Sequence, residues 1–199
     1  MANLPISELP LVPSGSPESL MVIVDYSTES SGVTSSIYYS SITNDISSKK
    51  YGQFISRQTQ VITGATTDAY IVKAEIPIYE NGVTVVDDSK FYVESGGTYN
   101  LEFSFQLEKS GVSVSQLSIW VRVNGEDVPD STTDLALTGS ILQSRQVAAW
   151  NYLLELNAGD FVQMVWSADN NFPALYYVGE RSNPTRPAVP STIITITEV

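Results

Sequence analysis

The sequence predicts an all-β fold, a sandwich of about ten strands preceded by an extended N-terminal arm. Two observations support the sandwich: apolar and polar residues alternate with period two over many short segments, and turn-forming residues separate these segments. A third observation supports the arm, because the composition changes near residue 50. We therefore predict two regions, an arm at residues 1–50 and a sandwich, the head, at residues 51–199.

Residues 1–50 are poor in the side chains that build a core. They contain thirteen serines, four prolines and only three aromatic residues, all tyrosine. Prolines at this density favour extended backbone that lies along a surface. Short strands are predicted at 20–24 and 34–42, and the first is so apolar that a neighbouring copy or a docking partner should cover it. We interpret the arm as an attachment segment, and a tail without a partner is the alternative.

In the head, alternation is clearest after Gly97. Leu101, Phe103, Phe105 and Leu107 alternate with polar residues, which indicates a strand with one buried face and one wet face. The predicted strands of the head span 70–79, 83–87, 90–94, 98–108, 116–123, 135–137, 147–156, 161–167, 174–178 and 192–199. Hairpin turns are predicted at Asn81-Gly82, Asn124-Gly125 and Ala158-Gly159-Asp160.

Residues 146–156 leave two interpretations open. Their Ala, Leu and Glu content favours a helix, on which Trp150, Leu153 and Leu154 could share a face. Trp150, Tyr152, Leu154 and Leu156 also alternate as one face of a strand.

Some strands are apolar on both faces. Ile119 and Val121 lie on one face of their strand while Trp120 lies on the other. In the strand that starts at Phe161, one face carries Phe161 and Val165, and the opposite face is also apolar, with Val162, Met164 and Trp166. Such strands are either central in a sandwich or pressed against another subunit. The alternative is that some of these side chains are simply half exposed.

The composition excludes several kinds of site. The chain has no cysteine and no histidine, so it forms no disulfide, no histidine zinc site and no Ser-His-Asp or Cys-His arrangement. A net charge of −12 argues against binding to nucleic acid or to a membrane surface, since both carry negative charge. The alternative is that this charge only keeps the protein soluble. No targeting segment is predicted, and the apolar run at 20–24 is too short to span a bilayer.

Few residues are candidates for chemistry. Four acidic residues near the second Asn-Gly turn could offer oxygen ligands to calcium, although a solvated acidic loop is the competing interpretation. Those residues are Glu126, Asp127, Asp130 and Asp134. Asp87-Asp88 is interpreted as a turn, and Trp120, Trp150 and Trp166 could stack on sugars or simply pack in the core. We therefore assign no catalytic, cofactor-binding or metal-binding residue from the sequence.

Two motifs resemble a known family. Phe91 is followed by Gly97, Tyr99, Leu101 and Phe103, and further along Leu154, Leu156, Gly159, Asp160 and Val162 form L-x-L-x-x-G-D-x-V. Together they resemble the core of C1q and tumour-necrosis-factor-like jelly rolls and of related domains on phage fibres and decorated capsids. The family pattern usually has an aromatic residue where Leu101 stands. The resemblance covers residues 53–199. It implies a jelly roll, a strand at 146–156, a terminal strand in the middle of a sheet, and a compact homotrimer.

The resemblance also suggests a function. We expect a non-enzymatic phage virion protein, assembled in the host cytoplasm, that docks on capsid or tail proteins through its arm and displays a trimeric head. A tail-fibre lectin that binds a host cell-surface glycan is the main alternative. A polysaccharide hydrolase with a carboxylate pair is a third.

Overall fold

The structure is a computed structural model. It describes residues 49–199 except Thr67 and residues 139–142, together with the backbone of two strands nearer the N-terminus. For Gln143 only the backbone is described. Every regular element in this part of the chain is a strand. The strands are β1 (Leu20–Asp25), β2 (Val33–Tyr38), β3 (Tyr51–Ser56), β4 (Gln60–Val61), β5 (Tyr70–Ile71), β6 (Ile76–Asn81), β7 (Val83–Val86), β8 (Lys90–Val93), β9 (Gly97–Ser110), β10 (Ser115–Val123), β11 (Glu126–Asp127), β12 (Thr133–Leu137), β13 (Gln143–Leu156), β14 (Phe161–Ala168), β15 (Pro173–Leu175), β16 (Arg181–Ser182), β17 (Thr185–Arg186) and β18 (Thr192–Glu198). Over the described ranges, no helix of a length and apolarity suited to crossing a membrane is present.

The chain divides into two units, Met1–Lys49 and Lys50–Val199. In the first unit β1 and β2 pair antiparallel, from Leu20 opposite Tyr38 to Asp25 opposite Val33. The strand predicted at 34–42 therefore begins one residue earlier, and the part of that prediction after Tyr38 lies outside the described residues. Apart from Lys49 and Lys50, the rest of the predicted arm also lies outside them, so its extended form and attachment role stay predictions.

The second unit is a jelly roll of two antiparallel sheets. Its eight principal strands, in chain order, are β3, β8, β9, β10, β12, β13, β14 and β18. The first sheet has the order β3-β18-β9-β13 and the second has β8-β14-β10-β12. In terms of these eight, the orders are first-eighth-third-sixth and second-seventh-fourth-fifth, which is the strand order of a jelly roll. The predicted fold class is confirmed.

Short strands extend both sheets. In the first sheet β6 pairs with β3, while β15 continues beside β9 and pairs with β4. In the second sheet β7, β5 and β11 pair with β8, β14 and β10. β16 and β17 form a separate two-stranded sheet. β4, β5, β11, β16 and β17 have two residues each, so they add to the predicted number of strands without adding a layer.

The core lies between the two sheets. On β9, the predicted apolar face is buried and Glu102 on the opposite face is exposed, which confirms the alternation. The second sheet contributes Ile119, Met164 and Trp166 to the same cluster. Phe54 of the first sheet and Phe91 of the second meet with ring centroids 5.0 Å apart. Aromatic contacts of this kind hold the two layers together.

β13 settles the ambiguity at residues 146–156. It pairs with β9 over its whole length, from Gln143 opposite Ser110 to Leu156 opposite Gly97. Leu154 and Leu156 are buried, whereas Leu153 and Glu155 are exposed, as a strand requires. The strand interpretation is confirmed, because packing against β9 outweighs a modest helix propensity.

One of the three predicted hairpin turns is confirmed. Asn124 and Gly125 have φ values of 52° and 89°, and the flanking Val123 and Glu126 pair across the turn. A two-residue hairpin of this kind needs positive φ at both central residues.

The other two predicted hairpins are wrong. At Asn81-Gly82 only Gly82 has positive φ, and the chain passes from β6 in the first sheet to β7 in the second. Residues 158–160 likewise connect β13 in the first sheet to β14 in the second, and the backbone N–H of Gly159 donates to the carbonyl of Val93 at 2.9 Å. Both turns link the layers, because the strands that they join have their partners in different sheets.

Two predicted strands are shorter than expected. The run at 70–79 is divided into β5 in the second sheet and β6 in the first, and Val72 between them donates its N–H to the carbonyl of Met164. The strand at 174–178 ends at Leu175, after which Val178 forms an isolated bridge with Val189. In both places the chain leaves one set of partners for another, although the apolar alternation continues.

Candidate functional site

The outer face of the first sheet is a candidate for contact between subunits. The register aligns one residue from each of β6, β3, β18, β9 and β13 in each of three rows that cross the sheet. We call these rows the assembly face. They are Ile76, Ile55, Ile193, Ser104 and Ala149; Tyr79, Gln53, Thr195, Glu102 and Asn151; and Asn81, Tyr51, Thr197, Asn100 and Leu153.

The assembly face is poor in charge for a protein of net charge −12. Glu102 is its single charged residue, whereas large apolar or aromatic side chains lie open at both edges. Tyr79 is 63% exposed on β6, and Leu153 is 66% exposed on β13. Depletion of charge together with exposed aromatic residues is characteristic of protein interfaces.

Polar side chains in the middle of the assembly face bond to one another. Gln53 donates from Nε2 to Thr195 Oγ1 at 3.3 Å. Asn151 donates from Nδ2 to Asn100 Oδ1 at 2.9 Å, and Asn100 donates in turn to Glu102 Oε1 at 2.9 Å. These groups therefore have partners within their own subunit, which lowers the cost of removing water from them.

The acidic residues proposed for calcium do not converge. Asp127 Oδ1 accepts hydrogen bonds from Trp120 Nε1 at 2.7 Å and Arg122 Nε at 2.8 Å. Both bonds lower the pKa of Asp127, and the bond from Arg122 has the larger effect. Asp134 Oδ1 accepts from Ser118 Oγ at 2.6 Å. Glu126 and Asp130 are exposed. Within the described ranges, no group of three acidic side chains is close enough to hold a metal ion.

The remaining candidates have packing or turn roles. Trp166 is 1% exposed in the core, and Trp150 packs against Phe103 and donates from Nε1 to Tyr152 Oη at 2.6 Å. Trp120 is partly exposed but is held by Asp127, as described above. Asp87 and Asp88 have φ values of 52° and 63° in the connection from β7 to β8, which confirms the predicted turn.

The Gly-Asp pair of the second motif stabilises the loops at one end of the sandwich. Asp160 Oδ2 accepts from the backbone N–H of Asn157 at 2.7 Å, and Oδ1 accepts from Asn124 Nδ2 at 2.8 Å. Asn124 Oδ1 accepts in turn from the N–H of Phe161 at 3.0 Å. The side chain of Asp160 therefore joins the turn after β13 to the hairpin after β10.

Asp160→Asn is expected to lower the free energy of unfolding by about 1 kcal/mol at pH 7, since the amide keeps only one of the two acceptor oxygens of this partly exposed carboxylate. Hydrogen bonds lower the pKa of Asp160 in the folded protein. The bond from the backbone N–H of Asn157 has the largest effect, and the bond from the Asn124 side chain comes second. The stabilisation is present above the unfolded pKa of about 4, and it disappears as pH falls through the lower folded pKa. Urea unfolding at fixed protein concentration should thus show a gap between wild type and variant at pH 7 that narrows toward pH 3.

Asp130→Asn is the matched control, because Asp130 is exposed and, among the described contacts, its carboxylate accepts no hydrogen bond. It should leave the pH dependence as in wild type. A gap of constant size for Asp160→Asn across this pH range would contradict the role given to its carboxylate.

Comparison with known proteins finds similarity to solved structures but no family. No family model matches the chain, and no curated protein matches it. Among solved structures, the chain is similar to the crystal structure of murine APRIL, with a TM-score of 0.47 and 13% sequence identity. The similarity covers 76% of this chain and 99% of that chain. The jelly-roll order described above is read from the strands of this chain and is independent of that likeness.

Proposed function

We propose that the protein is a non-enzymatic structural component of a phage virion. Residues 1–50 dock on a capsid or tail protein, and the head assembles as a homotrimer through the assembly face. The protein acts by binding and display rather than by catalysis. The observation that carries the proposal is the assembly face, a broad, regular surface with one carboxylate on a strongly acidic chain.

Electrostatics favours contact between copies at this face. Subunits that each carry a net charge of −12 repel one another, and burying an unpaired charge costs several kcal/mol. Identical chains can therefore approach most easily where charge is scarce and apolar side chains are open. The motifs that resemble C1q and tumour-necrosis-factor-like domains support three copies rather than two.

The N-terminal unit has the form expected of a docking element. β1 and β2 make a two-stranded sheet, and such a sheet is only marginally stable in water by itself. Among the described residues each of the two strands pairs along one edge, and its other edge can accept a partner strand. The resemblance to phage proteins and the prolines of the arm support a virion protein as that partner.

Two measurements test the proposal. Light scattering of the purified protein should give three times the 21.7 kDa mass of one chain. In phage particles assembled with a variant that lacks residues 1–49, the head should be missing from the particle. The circular dichroism of this purified variant should still show the β structure of the intact head.

Full-length protein added to the same assembly reaction is the control, and electron microscopy of those particles should show threefold knobs. A monomer in solution would contradict the trimer. Equal copy numbers of the shortened and full-length chains on the particle would contradict docking through the arm.

A further inference from the structure

A pocket rich in arginine opens at the end of the first sheet. It has a volume of about 290 Å³ and lies between β9, the start of β13 and the segment that follows β15. We call it the arginine pocket and define it by Arg145, Tyr176, Arg181 and Arg186. Its volume is near the lower end of the range for small-molecule sites, roughly 300–1,000 Å³.

The arginine pocket concentrates positive charge on an acidic protein. Three of the five arginines of the sequence line it, while the whole chain has a net charge of −12. Glu108 offsets part of that charge, because its Oε2 lies 2.6 Å from Arg145 Nε. Across the residues that the structure describes, the side chains of Arg181 and Arg186 take part in no ion pair or hydrogen bond.

Arg181 and Arg186 are placed directly opposite each other. They are partners in the antiparallel register of β16 and β17, so their side chains project from the same face of that small sheet. Like charges at opposed positions destabilise a strand pair. A bound anion between the two guanidinium groups would remove this repulsion.

Arg145 is held in position on the other side of the pocket. Its guanidinium carbon lies 4.8 Å from the centroid of the Tyr176 ring, and Glu108 fixes its Nε. Stacking and pairing together orient the remaining N–H groups of Arg145 at little further cost in entropy. The pocket thus has one fixed guanidinium and two that have no partner among the described residues.

We propose that the arginine pocket binds the carboxylate of an acidic sugar unit. Guanidinium groups bind planar carboxylates through two parallel hydrogen bonds. Gln106 and Gln146 add amides that can bond to hydroxyl groups, while Val147, Val178 and Val189 give an apolar wall for the face of a sugar ring. A long polyanion such as nucleic acid is disfavoured by the acidity of the rest of the chain. This inference is independent of the trimer and of docking on a virion.

The test is an NMR titration of the full-length protein with glucuronate, with glucose as the neutral sugar and with sulfate as a simple anion, all at one ionic strength. Glucuronate should shift the resonances of Tyr176 and Val178, whereas glucose should not. The double variant Arg181→Gln/Arg186→Gln should weaken glucuronate binding by about tenfold or more, because two charged hydrogen-bond donors are lost. Arg57→Gln, a change of the same charge at another exposed arginine, should bind as wild type does.

Four results would overturn the inference. Equal shifts with glucose would show that the carboxylate is not recognised, and equal affinity for sulfate would show an anion site without preference for sugar. Unchanged binding by the double variant would exclude Arg181 and Arg186 from the site. A smaller mass of the double variant by light scattering would assign these arginines to contacts between subunits. A wild-type protein that is monomeric yet binds glucuronate would contradict only the proposed trimer.

Discussion

Removal of residues 192–199 is expected to abolish folding of the head. β18 lies between β3 and β9 and pairs with both, so its loss leaves two adjacent ladders of backbone groups without partners. It also removes Ile194 and Ile196, which have no exposed surface. Burial of each isoleucine is worth about 1.5–3 kcal/mol, and a whole domain is stable by only about 5–15 kcal/mol.

The measurement is expression followed by circular dichroism and thermal unfolding. The truncated chain should be insoluble or lack a cooperative transition. Deletion of Val199 alone is the control, because that side chain is 66% exposed and lies beyond β18. A truncated protein that is soluble and unfolds cooperatively would contradict the central position of β18 in the first sheet.

The double variant Tyr79→Glu/Leu153→Glu is expected to convert the proposed trimer into a folded monomer. Both side chains are mainly exposed in the single chain, so the carboxylates cost the fold little. In a trimer built on the assembly face they would lose water without gaining a cation. At several kcal/mol for each buried charge, association should weaken by at least about a thousandfold.

Light scattering and circular dichroism of the variant check this expectation together. The mass should fall to that of one chain, while the β spectrum stays as in wild type. Val86→Glu/Val112→Glu is a matched control, since both valines are exposed and lie outside the assembly face. If this control dissociates while Tyr79→Glu/Leu153→Glu remains trimeric, the subunits meet elsewhere.

The sequence predicts where the strands lie better than it predicts which strands pair with each other. Alternation along residues 98–108 identifies β9 and its buried face, because that signal is local. Asn81-Gly82 and Asn124-Gly125 have the same two residues, yet only the second closes a hairpin. The difference depends on which sheet holds the next strand, and that is decided by partners remote in the sequence.

The candidate sites depend on the same remote information. Tyr79 and Leu153 belong to one face because three intervening strands align them in adjacent rows. Arg145 likewise meets the pair on β16 and β17 only after the chain has returned to the first sheet. In the sequence, each of these residues has the appearance of an ordinary polar or apolar position. The acidic residues after Asn124, by contrast, are close in the sequence but are directed to separate partners.

The pairing of β3 with β18 has a consequence for the rate at which the head forms. Gln53 and Thr195, which share a hydrogen bond across this pair, are 142 residues apart in sequence. Proteins dominated by such distant contacts fold in milliseconds to seconds, because a long loop must close before the contact gives any stabilisation. Until then β3 and β9 leave a gap in the sheet, and a strand from a neighbouring molecule could enter that gap in place of the chain's own. The charge repulsion between these acidic chains keeps neighbours apart during that interval.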